Sequence, residues 1–130
     1  MELKQATKDD ALKLFELRNE PEVISQSLND HPVGWAEHLR WLNETLESNN
    51  RKLFIIQVAY EFAGQVRLDK QGDITRISVA LIKKYRGRGL GTMAICKVLD
   101  EADSDVIALI KKKNIASIRA HAKAGFGCNM

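Results

Sequence analysis

The stretch "KKYRGRGLGTM", Lys83 to Met93, sets Gly87, Gly89 and Gly91 at alternate positions beside the cations Lys83, Lys84, Arg86 and Arg88. Glycine relieves the steric limits on φ and ψ and lets another molecule approach the main chain. Lysine and arginine attract anions, so the combination points to a phosphate-bearing ligand. An apolar run precedes the glycines and a helical pattern follows them, which predicts a strand-to-helix junction. The first N–H groups of a helix lack acceptors, and that end carries partial positive charge, so a diphosphate suits it. A side chain at Gly89 or Gly91 would stand between these amides and the phosphate oxygens. Lys84, Arg86 or Arg88 would add charge-assisted contacts. A tight solvated turn is the plainer reading, although one or two glycines would suffice for it.

Two well-known phosphate sites do not fit. No GxxxxGK followed by Ser or Thr occurs. The dinucleotide fingerprint needs GxGxxG after the first strand of a βαβ unit; here the third glycine falls one place short and the context is a meander.

The elements that must position the junction follow from periodicity. "ELKQAT" reads as a first strand. Thr7 or Asp9 caps a helix with Ala11, Leu12, Leu14, Phe15 and Leu17 at helical spacing, which Pro21 limits. "HPVGWAEHLRWLNETLES" is a second helix with a stripe of Trp35, Leu39, Leu42 and Leu46. "KLFIIQVAY", "EFAGQVRLD" and "DITRISVALI" form a three-strand meander, with a hairpin at Tyr60-Glu61 or a little later near Gly64. The helix after the glycines carries Leu90, Met93, Ala94, Ile95, Val98, Leu99 and Ala102, with Cys96 in its core pattern. "DVIALI" is a short buried strand. "NIASIRAHAKAGF" is a helix capped by Asn114 and stopped by Gly125. The order predicts a mixed α/β (α+β) layer rather than a bundle or a strict βαβ repeat.

At 130 residues, 45% hydrophobic and 28% charged, the chain fits one domain spanning 1–130 with a core of its own. No apolar run approaches the ~20 residues of a membrane span, and "MELKQATKDD" lacks an apolar signal core, so the expected location is cytoplasmic, away from membranes. Cys96 and Cys128 have no CxxC spacing, so no metal site is expected. A net charge of +3 does not mark a nucleic-acid binder. Lys111, Lys112 and Lys113 read as a solvated loop. An RNA-binding module using both basic clusters lacks flanking aromatics apart from Tyr85.

RxxGxG, Arg86 to Gly91, between an apolar strand and an amphipathic helix resembles motif A of the GNAT superfamily of acyl-CoA-dependent N-acetyltransferases. The run from Asn114 through Ser117 and His121 to Gly125 and Phe126 is similar to that family's motif B. The resemblance implies the GNAT fold, a mixed and mostly antiparallel sheet flanked by about four helices, with acetyl-CoA (coenzyme A) as the cofactor. It implies that Arg86, Gly87, Arg88, Gly89, Leu90, Gly91 and Thr92 hold the diphosphate. The main chain of Val79, Ala80 and Leu81 would meet the pantetheine arm, in a gap beside the strand containing Ile107 to Ile110, with Asn114 further along the arm.

Direct acyl transfer needs a neutral amine, a polarised thioester and a proton for the leaving thiolate. In many relatives a tyrosine of the last helix gives that proton; the matching residue here is His121. A histidine titrates near ~6.5 and can act as acid or base, although a half-exposed helical histidine with no chemical role fits His121 as well. Ser78, Asp69, Asp73 and Glu37 are the candidate bases, and none stands out. "LRNEPEV" with "WAEHLRWL" resembles a subgroup, typified by pseudaminic-acid pathway enzymes, that acetylates amino sugars attached to nucleotides. This implies substrate contacts at Arg18 and His38, with Trp41 in the core. The acceptor is then a small-molecule amine. A peptide N-terminus, a polyamine or a non-catalytic acyl-CoA-binding regulatory domain are the alternatives, and a polyamine would call for an acidic site that the sequence does not present. The family usually continues past Gly-Phe with two more strands, whereas Met130 follows Phe126 by four residues. The domain is therefore read as shortened at its C-terminus, with a sheet edge that a homodimer partner would cover.

Overall fold

In a computed structural model, which describes residues 1–26, 31–99 and 105–108, local signals place the first elements. Strand β1 (Glu2–Gln5) leads to Thr7, whose hydroxyl accepts the Asp9 N–H while Asp10 Oδ2 accepts the Thr7 N–H at 2.8 Å. This reciprocal box satisfies donors that open a 3-10 turn, Lys8–Asp10, and helix α1 (Ala11–Arg18). Pro21 does more than limit α1. It is the first residue of a further short helix, α2 (Pro21–Gln26), where its missing N–H costs nothing. Three helices, not the expected two, therefore precede the meander. Asn19 closes the connection to α3 (Trp35–Glu47) by pairing both ways with the Val33 main chain, at 2.7 and 2.9 Å.

The buried stripe of α3 is His38, Leu42 and Thr45, displaced from the apolar stripe expected along Trp35, Leu39, Leu42 and Leu46. Trp35 remains 44% exposed. Two polar residues can face inward because each finds a partner: His38 bonds Ala11 O, and the Thr45 hydroxyl accepts from Arg51.

The sheet has the order β1-β2-β3-β4-β5, with β2 (Arg51–Val58), β3 (Glu61–Gln71), β4 (Ile74–Leu81) and β5 (Asp105–Ala108). The first four strands are antiparallel and β5 is parallel to β4. Ala59 and Tyr60, at φ +52° and +67°, make the β2–β3 turn in the left-handed region that suits a two-residue hairpin. Gly64 is not at the turn. It lies inside β3, where an added Cβ would come 2.2 Å from Ala80 O, so the β3–β4 approach requires a bare position.

Helix α4 (Leu90–Leu99) packs one side of the sheet through Ala94, Ile95 and Val98 against Val66, Leu68 and Ile77. On the other side α1 and α3 cover Leu53 and Ile55 with Ala11, Leu14 and Leu42. Cys96, expected in the core, is exposed because the inward face of α4 runs Gly91, Ala94, Ile95 and Val98. No helix among the described residues is long and apolar enough to cross a membrane. The expected helix from Asn114 to Gly125 lies outside the described residues.

Gly64→Ala should destabilise the chain by about 3 kcal/mol, because the new methyl meets backbone. Tyr60→Gly should stabilise it by about 1 kcal/mol by relieving the left-handed turn, since that side chain is 90% exposed and packs little. Urea unfolding checks both; equal midpoints for Gly64→Ala and the parent would contradict the close approach.

Candidate active site

Strand β4 ends as Ile82 donates its N–H to Ala63 O at 2.9 Å, and a 3-10 turn, Lys83–Tyr85, follows. Tyr85, 4% exposed, anchors this turn in the core under α4. Gly87 and Gly89 then both take φ +78°, a conformation that strongly favours glycine. The first intrahelical bond of α4 runs from Met93 N–H to Gly89 O, at 3.2 Å. Leu90 and Gly91 thus belong to the first turn, whose N–H groups have no acceptor within the helix. A Cβ built at Gly87 or Gly89 meets nothing within 4 Å, so the space over the loop backbone is open. Gly91 differs. It lies on the buried face of α4.

The cations of the loop are not equivalent. Lys84 pairs with Glu61 at 2.9 Å. The Arg86 guanidinium forks between Glu20 at 2.7 Å and Glu22 at 2.5 Å, while its Nε donates to Leu81 O at 3.0 Å. The expectation that the Arg86 side chain serves a diphosphate is therefore corrected: it ties the loop to the acidic start of α2. Arg88 and Lys83 are exposed, without an ion pair among the described residues, and Arg88 lies 5.5 Å from the Tyr85 ring centre.

Beside the loop, the bond from Ile82 to Ala63 fixes the alternation of β4, so the main-chain groups of Val79 and Leu81 point away from β3. On that side the described pairing with β5 runs from Ile74–Asp105 to Ile77–Ala108. Ile107 lies within the paired stretch, opposite Arg76, and not beside a gap. Val79 to Leu81 continue beyond the last described pair. Fold and loop together can hold a long, extended molecule carrying a diphosphate: bare amides and Arg88 at the helix end, and strand main chain leading away from it. Asn114 and His121 lie outside the described residues.

His38 does not contact solvent. Its Nε2 lies 2.8 Å from Ala11 O, which can only accept, so Nε2 carries the hydrogen and Nδ1 accepts from Arg18 Nη1 at 3.1 Å. Phe15, Trp35 and Trp41 surround the ring. Burial lowers its pKa, the bond to Ala11 opposes that shift, and the Arg18 charge adds to it. The expected substrate contact is thus replaced by a structural role, fixing Arg18. The Arg18 guanidinium lies 4.2 Å from the Trp41 ring centre, and that of Arg67 lies 5.4 Å away. Trp41, expected in the core, packs against it only in part and also carries two cations.

Sequence reasoning missed the row Gln65, Arg67 and Asp69. The signal was present as a polar alternation opposite Val66 and Leu68 along a single strand. Across β4 this row faces Ala80, Ser78 and Arg76. Asp69, one of the candidate bases, is bonded to Arg67 at 2.8 Å.

The family model described as "Acetyltransferase (GNAT) domain" matches residues 1–127. No curated protein sequence matches. Among solved structures, the chain is similar to the spermidine N-acetyltransferase from Vibrio cholerae in complex with CoA and spermine, at 15% identity and TM-score 0.82, over 95% of this chain and 79% of that one. Ribosomal-protein-alanine N-acetyltransferase from Brucella melitensis matches at 20% identity and TM-score 0.83, over 98% and 85%. AAC(6')-Ib bound to paromomycin and acetyl-CoA matches at 18% and 0.80, over 96% and 81%.

The burial of His38 has a measurable consequence. Its folded pKa lies below the unfolded value near ~6.5, so the unfolded chain binds the proton first and stability falls as pH drops below that value. In a proton NMR titration the His38 ring should titrate below pH 6.5 (roughly the model-peptide value); a midpoint above it would contradict the buried, neutral ring.

Proposed function

This chain belongs to the acetyltransferase (GNAT) domain family, and from that premise we propose that it transfers the acetyl group of acetyl-CoA to the primary amine of a nucleotide-linked amino sugar. The observation that carries the reading is the glycine loop. Gly87 and Gly89 at positive φ leave the amide end of α4 bare, directly after the strand whose outward main chain runs toward it.

The residues present suit the donor substrate. The main-chain N–H groups from Gly87 to Thr92, in the loop and the first turn of α4, would donate to a diphosphate, Arg88 would supply charge, and the outward main chain at Val79 would extend the track. The Leu81 carbonyl is already held by Arg86. Asn114 would meet the same arm. Acetyl-CoA supplies an acyl group on a good leaving group. The amine nitrogen forms a bond to the acetyl carbon, the carbon–sulfur bond breaks, the sulfur gains a proton and the amine loses one. We assign the proton donor to His121, which takes the place of the tyrosine that serves many relatives.

The nucleotide-linked acceptor is supported by the resemblance of "LRNEPEV" and "WAEHLRWL" to that subgroup, and by Arg18, which His38 and Trp41 hold in place. Spermine and paromomycin, bound to two of the solved relatives, are polycationic amines. A face bearing Arg18 and Arg67 disfavours such an acceptor here.

Incubation with acetyl-CoA and UDP-glucosamine should release free CoA thiol and a product one acetyl group heavier, read by mass spectrometry. His121→Ala should lower kcat about 100-fold while leaving CoA affinity unchanged. CoA binding without turnover on any amine would instead identify a non-catalytic acyl-CoA-binding domain, and an unchanged kcat would remove His121 from the chemistry.

A further inference from the structure

We infer that the sheet face opposite α4 carries a recognition site for a phosphate or diphosphate ester, held by Arg67 and Arg51, with Arg18 and Arg76 adding positive charge beside them. Reading this ester as part of the acetyl acceptor rests on the acetyl transfer proposed above.

Strand pairing assembles the cluster. Asp69 sits between Arg51 on β2 and Arg76 on β4, and Arg67 is two residues along on the same face. The Asp69 carboxylate lies 2.8 Å from Arg67 Nε and 3.9 Å from Arg51 Nε. Arg18 enters from α1 and, among the described residues, meets the neutral Nδ1 of His38 and the Trp41 ring, which it shares with Arg67. Among the described residues, four guanidinium groups thus gather around the one carboxylate of Asp69, with Glu37 acting on Arg18 without an ion pair. Gathering like charges at a half-buried site raises the energy of the fold unless an anion joins them.

One unpartnered donor, Arg76 Nε, points the same way, whereas the buried acceptors beside it call for a water. Gln65, on the same face of β3, is 9% exposed and its Oε1 is buried without a hydrogen bond. Arg76 Nε is also buried without a hydrogen bond, and Asp69 Oδ1 has none beyond its ion pair with Arg51. Buried polar atoms in this state are rare and call for a water, an ion or a ligand. A plain sheet-stabilising ion pair would account for Arg67 and Asp69, but not for Arg18 beside Arg67 or for the unbonded donor of Arg76. A cleft of about 320 Å³ opens beside the cluster, lined by Trp41, Arg51, Arg67, Asp69 and Lys70, and Arg18 and Arg76 add charge from outside its lining. Ser78 pairs with Arg67 and directly precedes Val79, so the cluster adjoins the strand proposed to carry the acetyl donor. Guanidinium groups match phosphate oxygens two at a time and remain charged, which suits this ligand better than a carboxylate or an amine.

The first test uses the full chain with CoA at saturation, so that the loop amides are occupied, and titrates pyrophosphate while Tm is recorded. Pyrophosphate should raise Tm in the parent and have no effect in Arg67→Met. The second compares kcat/KM for UDP-glucosamine, glucosamine 6-phosphate, glucosamine and spermidine. The phosphorylated amines should exceed glucosamine by roughly 10-fold or more. Arg67→Met should erase that ratio through KM, and Arg67→Lys should keep part of it, which also serves if the methionine variant fails to fold. A larger effect for the UDP sugar indicates a diphosphate, and equal effects indicate a monophosphate. A pyrophosphate shift lost in Arg67→Met, with no amine acetylated, upholds the site and overturns the reaction. Acetylation with no phosphate preference and no pyrophosphate shift upholds the reaction and overturns the site.

Discussion

The two-residue pleat of β3 and its antiparallel register with β4 is the constraint on which the rest of the molecule depends. One set of alternate residues, Val66, Leu68 and Ile77, is apolar and lies under α4. The other, Gln65, Arg67, Asp69, Arg76 and Ser78, is polar and lies on the side covered by α1 and α3. A shift of one residue would exchange the two faces, bury three charged groups under α4 and expose the core. Gly64 protects this register, because any side chain there would push Ala80 away from β3.

From that register follow the two ends of the chemistry. At the exit of β4, Tyr85 pins the turn into the apolar core, and Gly87 and Gly89 reverse the chain so that α4 starts with its amides open. Arg86 then crosses to Glu20 and Glu22, so the loop is fixed by charge as well as by packing. The same contact brings α2, and with it the carboxyl end of α1 carrying Arg18, to a defined distance from the loop. A cation that looks like a ligand contact in one dimension is thus a strut in three.

On the opposite face the determining fact is the burial of His38. A neutral imidazole with one nitrogen committed to Ala11 O can offer only a lone pair to Arg18. It orients the guanidinium without cancelling its charge. Trp41 adds an aromatic surface for Arg18 and Arg67. The positive character of that face therefore survives folding, which a carboxylate in place of His38 would have abolished.

By itself, the sequence determined the mixed α/β order, the strand-to-helix junction and the glycine positions, because period, turn chemistry and helix ends are local properties of the chain. The capping role of Thr7 and the strand character of the meander were legible for the same reason. Which cations stay open was not legible: Arg86 and Glu20 are 66 residues apart, and only the packing of α2 beside the loop brings them together. Likewise, the inward turn of His38, the exposure of Cys96 and the gathering of Arg18, Arg51, Arg67 and Arg76 depend on helix rotation and strand register. Those are settled by contacts between elements distant in the chain, where no short-range pattern in the residues can reach.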